Sequence, residues 1–178
     1  NIGYVLQTPQ LFSGSIIENI RYGKLDATDE EVYNAAKIVD AHEFIMSLEN
    51  GYETDVGEGG NKLSLGQRMI CEIVASLIHE PEILFLDEPT IGLDPVVKEK
   101  IRVFIKRLNK EKHTTIFLTS HDVGDIEKLC KRVIIVNNGE IVLDDSMENL
   151  KYHYLNKKIV EAKMNTKINL DDVDGITI

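Results

Sequence analysis

Two adjacent carboxylates stand where an apolar run ends, in Ile83-Leu84-Phe85-Leu86-Asp87-Glu88. A run apolar on both faces of an extended chain fits a strand buried in a parallel sheet. In such sheets ligands sit beyond the carboxyl ends of the strands. Placed there, the pair could divide the labour of phosphoryl transfer. Asp87 would hold Mg²⁺, through water, and Glu88 would orient and deprotonate an attacking water. The plainer reading is an acidic pair that closes a strand and faces solvent.

Three further signals bear on the same chemistry. In Leu63-Ser64-Leu65-Gly66-Gln67, Ser64 and Gln67 have capping-box spacing. Any helix can begin this way, but a helix start with free N–H groups and a nearby hydroxyl also binds phosphate. Gly66 would let the backbone approach an anion. His121 directly follows the run Thr114 to Ser120. A lone His at a strand end is ordinarily polar surface; an edge shared with Asp87 and Glu88 would bring it to a γ-phosphate. Gln7 has an amide oxygen able to face a metal or its water, and alone carries almost no information.

The elements that must position these residues are legible as periodicities. Residues 1–22 read as a strand followed by a loop. Thr28 and Glu31 form a capping box ahead of Val32, Ala35, Ala36 and Val39, and Asp40 with Glu43 repeats the pattern before Phe44, Ile45 and Leu48. Residues 28–49 are therefore expected to be a small helical unit, and 50–62 a Gly-rich loop. Ser64 opens a helix carrying Met69, Ile70, Ile73, Val74, Leu77 and Ile78, ended by Pro81. A strand over 83–86, a helix over 97–110 and a strand over 114–120 make a βαβ unit, for which a right-handed crossover is expected. Ile126 and Leu129 mark another helix. Val133 to Val136 and Ile141 to Leu143 flank Asn137-Asn138-Gly139, a strand pair with a tight turn. Beyond Lys151, strands are expected at 159–164 and 175–178.

The 178 residues are 43% hydrophobic and 28% charged, an ordinary globular balance. The longest apolar runs are four residues, far short of a membrane span. The net charge of −10 argues against nucleic acid as a partner. Cys71 and Cys130 read as small buried hydrophobes, and the five His form no metal-spaced cluster. The first residue is Asn and no signal-peptide pattern follows, which reads as a fragment or a processed chain.

Taken in order, Gln7, Leu63 to Gln67, Ile83 to Glu88, Gly92-Leu93-Asp94-Pro95 and Ser120-His121 resemble the ATP-binding domain of ABC transporters. In that family they are the Q-loop, the signature motif, Walker B with the catalytic Glu, the D-loop and the H-loop. The resemblance implies an α/β fold of the P-loop NTPase type, with a mainly parallel sheet and a small helical subdomain. It covers about residues 1–150. Residues 1–148 are expected to be a partial ATPase domain, with the Q-loop and helical subdomain at about 8–63 and the signature, Walker B and H-loop core at 64–148. Residues 149–178 would be an incomplete extension. The resemblance implies ATP and Mg²⁺ as ligands. Glu88 and His121 would be catalytic, and Asp87 and Gln7 would lie at the metal. Gln7, Ser64, Leu65, Gly66, Gln67 and Asp94 would contact nucleotide. It implies a second ATPase domain as partner, with each signature facing the other's phosphate loop. A transmembrane permease domain or subunit would be reached through the Gln7 region, at the cytoplasmic face of the cell membrane.

The sequence departs from the family pattern in three ways. No Gly-x-x-x-x-Gly-Lys-Ser/Thr occurs, so the Walker A region is lacking. The 178 residues alone are therefore expected to bind ATP very weakly and to hydrolyse none, because the loop's N–H groups and Lys supply most of the phosphate affinity. The same lack is expected to remove strands flanking Ile83–Leu86 and to expose one side of the sheet. Leu65 replaces the commoner Gly of the signature, which the family tolerates. The third departure is mosaic character. Gln7 to Ser15, Glu18-Asn19-Ile20 and Thr54 to Gly59 resemble exporters with a fused ATPase, whereas Asp87-Glu88-Pro89-Thr90-Ile91-Gly92 and the tail after Leu150 resemble stand-alone subunits. Divergence within one family and a joined sequence both account for this. A non-catalytic module that lends its signature to a partner, and an ABC-type ATPase of DNA repair or translation, are the competing functions. Basic patches, coiled-coil heptads or a tandem domain would mark the latter, and none is visible.

Overall fold

A computed structural model describes residues 1–153. They fall into two compact units divided after Cys130.

The first unit is built on a three-stranded parallel sheet: β1 (Ile2–Val5), β2 (Ile83–Asp87) and β3 (Thr115–Thr119), in the order β1-β2-β3. Val5 pairs with Leu86, and Asp87 with Thr119. β2 is thus flanked on both sides, against the expectation of a bare flank. What is exposed is a face: Ile2, Tyr4 and Phe117 are 59, 53 and 50% accessible. They share the side on which Phe85 stacks on Phe117 at 4.9 Å. The opposite side holds Val5, Leu84 and Leu86, all fully or almost fully buried, because alternate residues of a strand point to opposite faces.

Between β1 and β2 the chain forms α1 (Ile16–Arg21), α2 (Asp29–Ile38), α3 (His42–Met46), two 3₁₀ turns (Gly51–Glu53 and Glu58–Gly60) and α4 (Leu65–Leu77). α1 lies where only loop was expected. Its signal was present as a capping box between Ser15 and Glu18, with Ile16, Ile17 and Ile20 buried behind it. The box expected at Asp40 and Glu43 does not form. α3 starts from Ala41 with no side-chain cap. Asp40 instead has a left-handed φ of 53° and accepts from Arg107 Nη1 at 3.1 Å. A long-range ion pair outcompetes the local cap there.

α4 serves two cores. Cys71, Val74 and Ile78 pack with α1 to α3, whereas Met69, Ile73 and Leu77 pack with the sheet and with α5 (Pro95–Lys112). α5 starts two residues before the expected helix, because Pro95 suits the first helical position and Asp94 caps it. α6 (Val123–Leu129) ends this unit. Cys71 is buried and Cys130 partly buried, both as free thiols.

The described part of the second unit holds the hairpin β4 (Arg132–Asn137) and β5 (Glu140–Ser146), followed by α7 (Met147–His153). Asn138 and Gly139 both take positive φ, as the two-residue turn requires. The strands expected at 159–164 and 175–178 lie outside the described residues. Among the described residues, no helix is long and apolar enough to cross a membrane.

Candidate functional site

β2 and β3 end level with each other, and that register builds the site. Asp87 is paired with Thr119 across the ladder, and Thr119 Oγ1 donates to Asp87 Oδ1 at 2.5 Å. Glu88 then leaves the strand with a left-handed φ of 48°. Its N–H is held by the Thr119 carbonyl at 3.2 Å and by Thr119 Oγ1 at 3.1 Å. Backbone of this kind is costly for a residue with a Cβ, and it persists here because two Thr119 oxygens hold the Glu88 N–H. The turn brings Glu88 Oε1 to 2.8 Å from Nδ1 of His121. The Glu88 side chain is 19% accessible and the His121 ring 71%. The two candidate catalytic residues, 33 positions apart, are therefore in direct contact, with the ring open to solvent.

Gln7 is exposed two residues beyond Val5, at the same carboxyl edge. Asp87, with Gln7 at the same edge, could hold Mg²⁺ rather than a cation that needs an all-protein cage. Among the described residues no group of three or more His, Cys, Asp or Glu could hold a metal ion. Mg²⁺ keeps several waters and takes one or two carboxylates together with substrate phosphates.

The Ser64 segment lies apart from this edge and is built from backbone. Ser64 N–H donates to Gln67 Oε1 at 2.8 Å, and Gln67 N–H donates to Ser64 Oγ at 3.3 Å. The reciprocal cap uses the hydroxyl as an acceptor and leaves its own proton available to another partner. The first-turn amides of Leu65 and Gly66 face out of the helix start. Gly66 has a packing role as well: an added Cβ would lie 2.9 Å from Val97 Cγ1, so glycine admits α5 against α4. Ser64, Gly66 and Gln67 border a cavity of about 200 Å³ floored by Ile70, Val97 and Phe104. Gly92, at φ 68°, approaches Leu65, since a Cβ there would stand 3.2 Å from Leu65 Cδ2. Asp94 accepts from Val96 and Val97 N–H at 3.0 and 3.1 Å, so one of its oxygens is already engaged at the start of α5.

Residue-by-residue reading of the sequence missed Thr119, which contacts both carboxylate residues, and the buried Thr90 and Asp125 with their partner Arg102. Thr119 carries no sequence signal beyond its place before Ser120-His121. Asp125 lies three residues past Asp122, and Lys98 and Arg102 are four apart on α5. That charge spacing was the available clue. Lys98 donates to Asp122 at 3.2 Å and holds its carboxyl below the usual range.

The sequence profile of the ABC transporter family matches residues 1–91, just over half of the chain. A mitochondrial potassium channel ATP-binding subunit of Mus musculus is 40% identical over 149 residues, covering 84% of this chain and 20% of that protein. A putative multidrug export ATP-binding/permease protein of Bacillus subtilis, YgaD, is 43% identical over 141 residues, 79% of this chain and 24% of the other. Among solved structures, a bacterial Atm1-family ABC exporter with ATP bound superposes with a TM-score of 0.77 at 31% identity, over 85% of this chain and 26% of the exporter. The chain thus spans a fifth to a quarter of the length of these relatives.

Proposed function

Because the chain belongs to the ABC transporter family, in the part that binds ATP, we propose that it contributes the hydrolytic edge and the signature segment to an ATPase that powers transport across a membrane. The observation that carries this reading is the 2.8 Å contact between Glu88 and His121 beside Asp87. A general base needs its carboxylate fixed by a neighbour while one side stays open to water, and this pair has both properties. Glu88 takes the proton of the attacking water. His121, exposed on the far side of the pair, donates to the γ-phosphate. Asp87 and Gln7 would hold Mg²⁺ through its waters, and the ion supplies charge neutralisation on the phosphates.

Ser64, Leu65, Gly66 and Gln67 serve the nucleotide of a second ATPase domain, with Asp94 at the same junction. Their outward amides and hydroxyl are an anion site that no group of the Glu88 edge occupies. Residues 1–148 form the ATPase part on this reading, and 149–178 an extension. A permease domain or subunit meets the chain near Gln7. A groove of about 280 Å³, bordered by Gln10, Leu11, Phe12, Tyr22 and Glu72, offers aromatic rings and a carboxylate. On this reading the chain works at the cytoplasmic face of the cell membrane. Export is the direction favoured by the likeness to YgaD, a putative multidrug export protein, and to the Atm1-family exporter.

The test is Glu88→Gln in the complete transporter. Turnover should fall by on the order of 10²- to 10⁴-fold while ATP binding persists. Near-normal turnover would remove Glu88 from the role.

A further inference from the structure

Asp125 is 1% accessible, and Thr90 is 2% accessible. Neither belongs to the reacting edge, yet they bond to each other 35 positions apart, the Thr90 hydroxyl donating to one carboxylate oxygen of Asp125. Arg102 of α5 donates to the other oxygen through Nε at 2.6 Å, and Glu99 takes a second hydrogen bond from Arg102 at 3.2 Å. A buried carboxylate with a cation on one oxygen and a hydroxyl on the other is fully satisfied and stiff.

Its place decides what it does. Thr90 sits two residues after Glu88, and the intervening chain is tightly wound: Ile91 N–H bonds the Glu88 carbonyl at 3.1 Å, and Leu93 N–H the Thr90 carbonyl at 3.3 Å. Asp125 sits in the first turn of α6, where its N–H bonds the carbonyl of Asp122, the residue after His121, at 3.0 Å. Lys98 grips Asp122 one turn earlier along α5. The loop leaving Glu88 and the segment leaving His121 are thus tied to each other and to one strut. We propose that Asp125 is a positioning residue that, through Thr90 and Arg102, sets Glu88 against His121. The assignment rests on Glu88 and His121 being the working pair.

The experiment reads that pairing without ATP. In the ¹⁵N-labelled chain of 178 residues, the ring nitrogens of His121 are followed by NMR, and the change produced by Glu88→Gln is recorded. The same change is then recorded in Thr90→Val, Thr90→Ser and Asp125→Asn backgrounds that keep the far-ultraviolet dichroism of the parent. The response should survive in Thr90→Ser, which keeps the hydroxyl, and fall by at least half in Thr90→Val and Asp125→Asn. An undiminished response in both, or a loss in Thr90→Ser equal to that in Thr90→Val, overturns the proposal. If Thr90→Val does not fold, Thr90→Ala takes its place under the same two outcomes. Should the tether pass while Glu88→Gln leaves turnover intact in the complete transporter, the catalytic reading fails and the tether stands.

Discussion

The Ser64 segment and the Glu88 edge are both candidates for handling phosphate, and they are made in opposite ways. At Ser64 everything lies within four residues. One side chain caps three positions ahead, the other caps back, and the outward amides follow from the helix itself. At Glu88 almost nothing is local. The backbone is left-handed, and the restraint comes from Thr119, the side-chain partner is His121, and the neighbouring loop is held by Asp125. A site of backbone amides at a capped helix is stable on its own account. A site of side chains converging from separate strands stores strain and depends on the surrounding fold.

The strongest way to break the comparison is at Ser64. Ser64→Arg in the complete ATPase should abolish ATP-driven association, read by light scattering with Mg-ATP, while nucleotide binding to the monomer is unchanged. Equal loss of both would put Ser64 on the same nucleotide as Glu88 and erase the distinction. Next is Leu84→Ala. Leu84 is fully buried on the strand that carries Asp87, and the truncation should cost about 2–5 kcal/mol in urea unfolding. A loss near zero would mean that the strand is not held as described.

Single-residue stabilities should then move in opposite directions at the two places. Ser64→Ala removes a cap and should lower stability by about 1 kcal/mol. Glu88→Gly, compared with Glu88→Ala, should raise it by about 1 kcal/mol, because glycine relieves the left-handed backbone. Equal stability of Gly and Ala at 88 would show that the φ of 48° is not a strained state. The smallest effect separates two kinds of cap. The box at Ser64 uses Gln67, which does not titrate, whereas that at Thr28 uses Glu31. Lys24, hydrogen-bonded to Glu31, together with the Thr28 N–H at 2.8 Å, lowers the Glu31 carboxyl to about 2. A depressed carboxyl adds stability above its unfolded value that is lost as pH falls through the folded one. Thermal midpoints should thus decline between about 4.5 and about 2, and Glu31→Gln should flatten that part of the profile. An unchanged slope would deny Glu31 a part in acid sensitivity.

What could be read from the chain alone was whatever repeats at short spacing. The caps at Thr28 and Ser64, the apolar strand ahead of Asp87 and the Asn138-Gly139 turn follow from helix and strand periods of a few residues. The capping box at Ser15 belongs to the same class, although the helix that it starts has only six residues. The order of the motifs also survives in one dimension, so the family was legible. Tertiary structure alone decided the partners across long loops. His121 meets Glu88, Thr119 meets Asp87, Asp125 meets Thr90, and Asp40 abandons a cap for Arg107. Each of these depends on the register in which β2 and β3 align and on how α5 lies against them. A sequence pattern prescribes which face of a strand is apolar, but the level at which two strands end comes from the packing of the whole core. At Asp40 the same competition is visible in one residue: a capping pattern was present, and a cation 67 positions away prevailed.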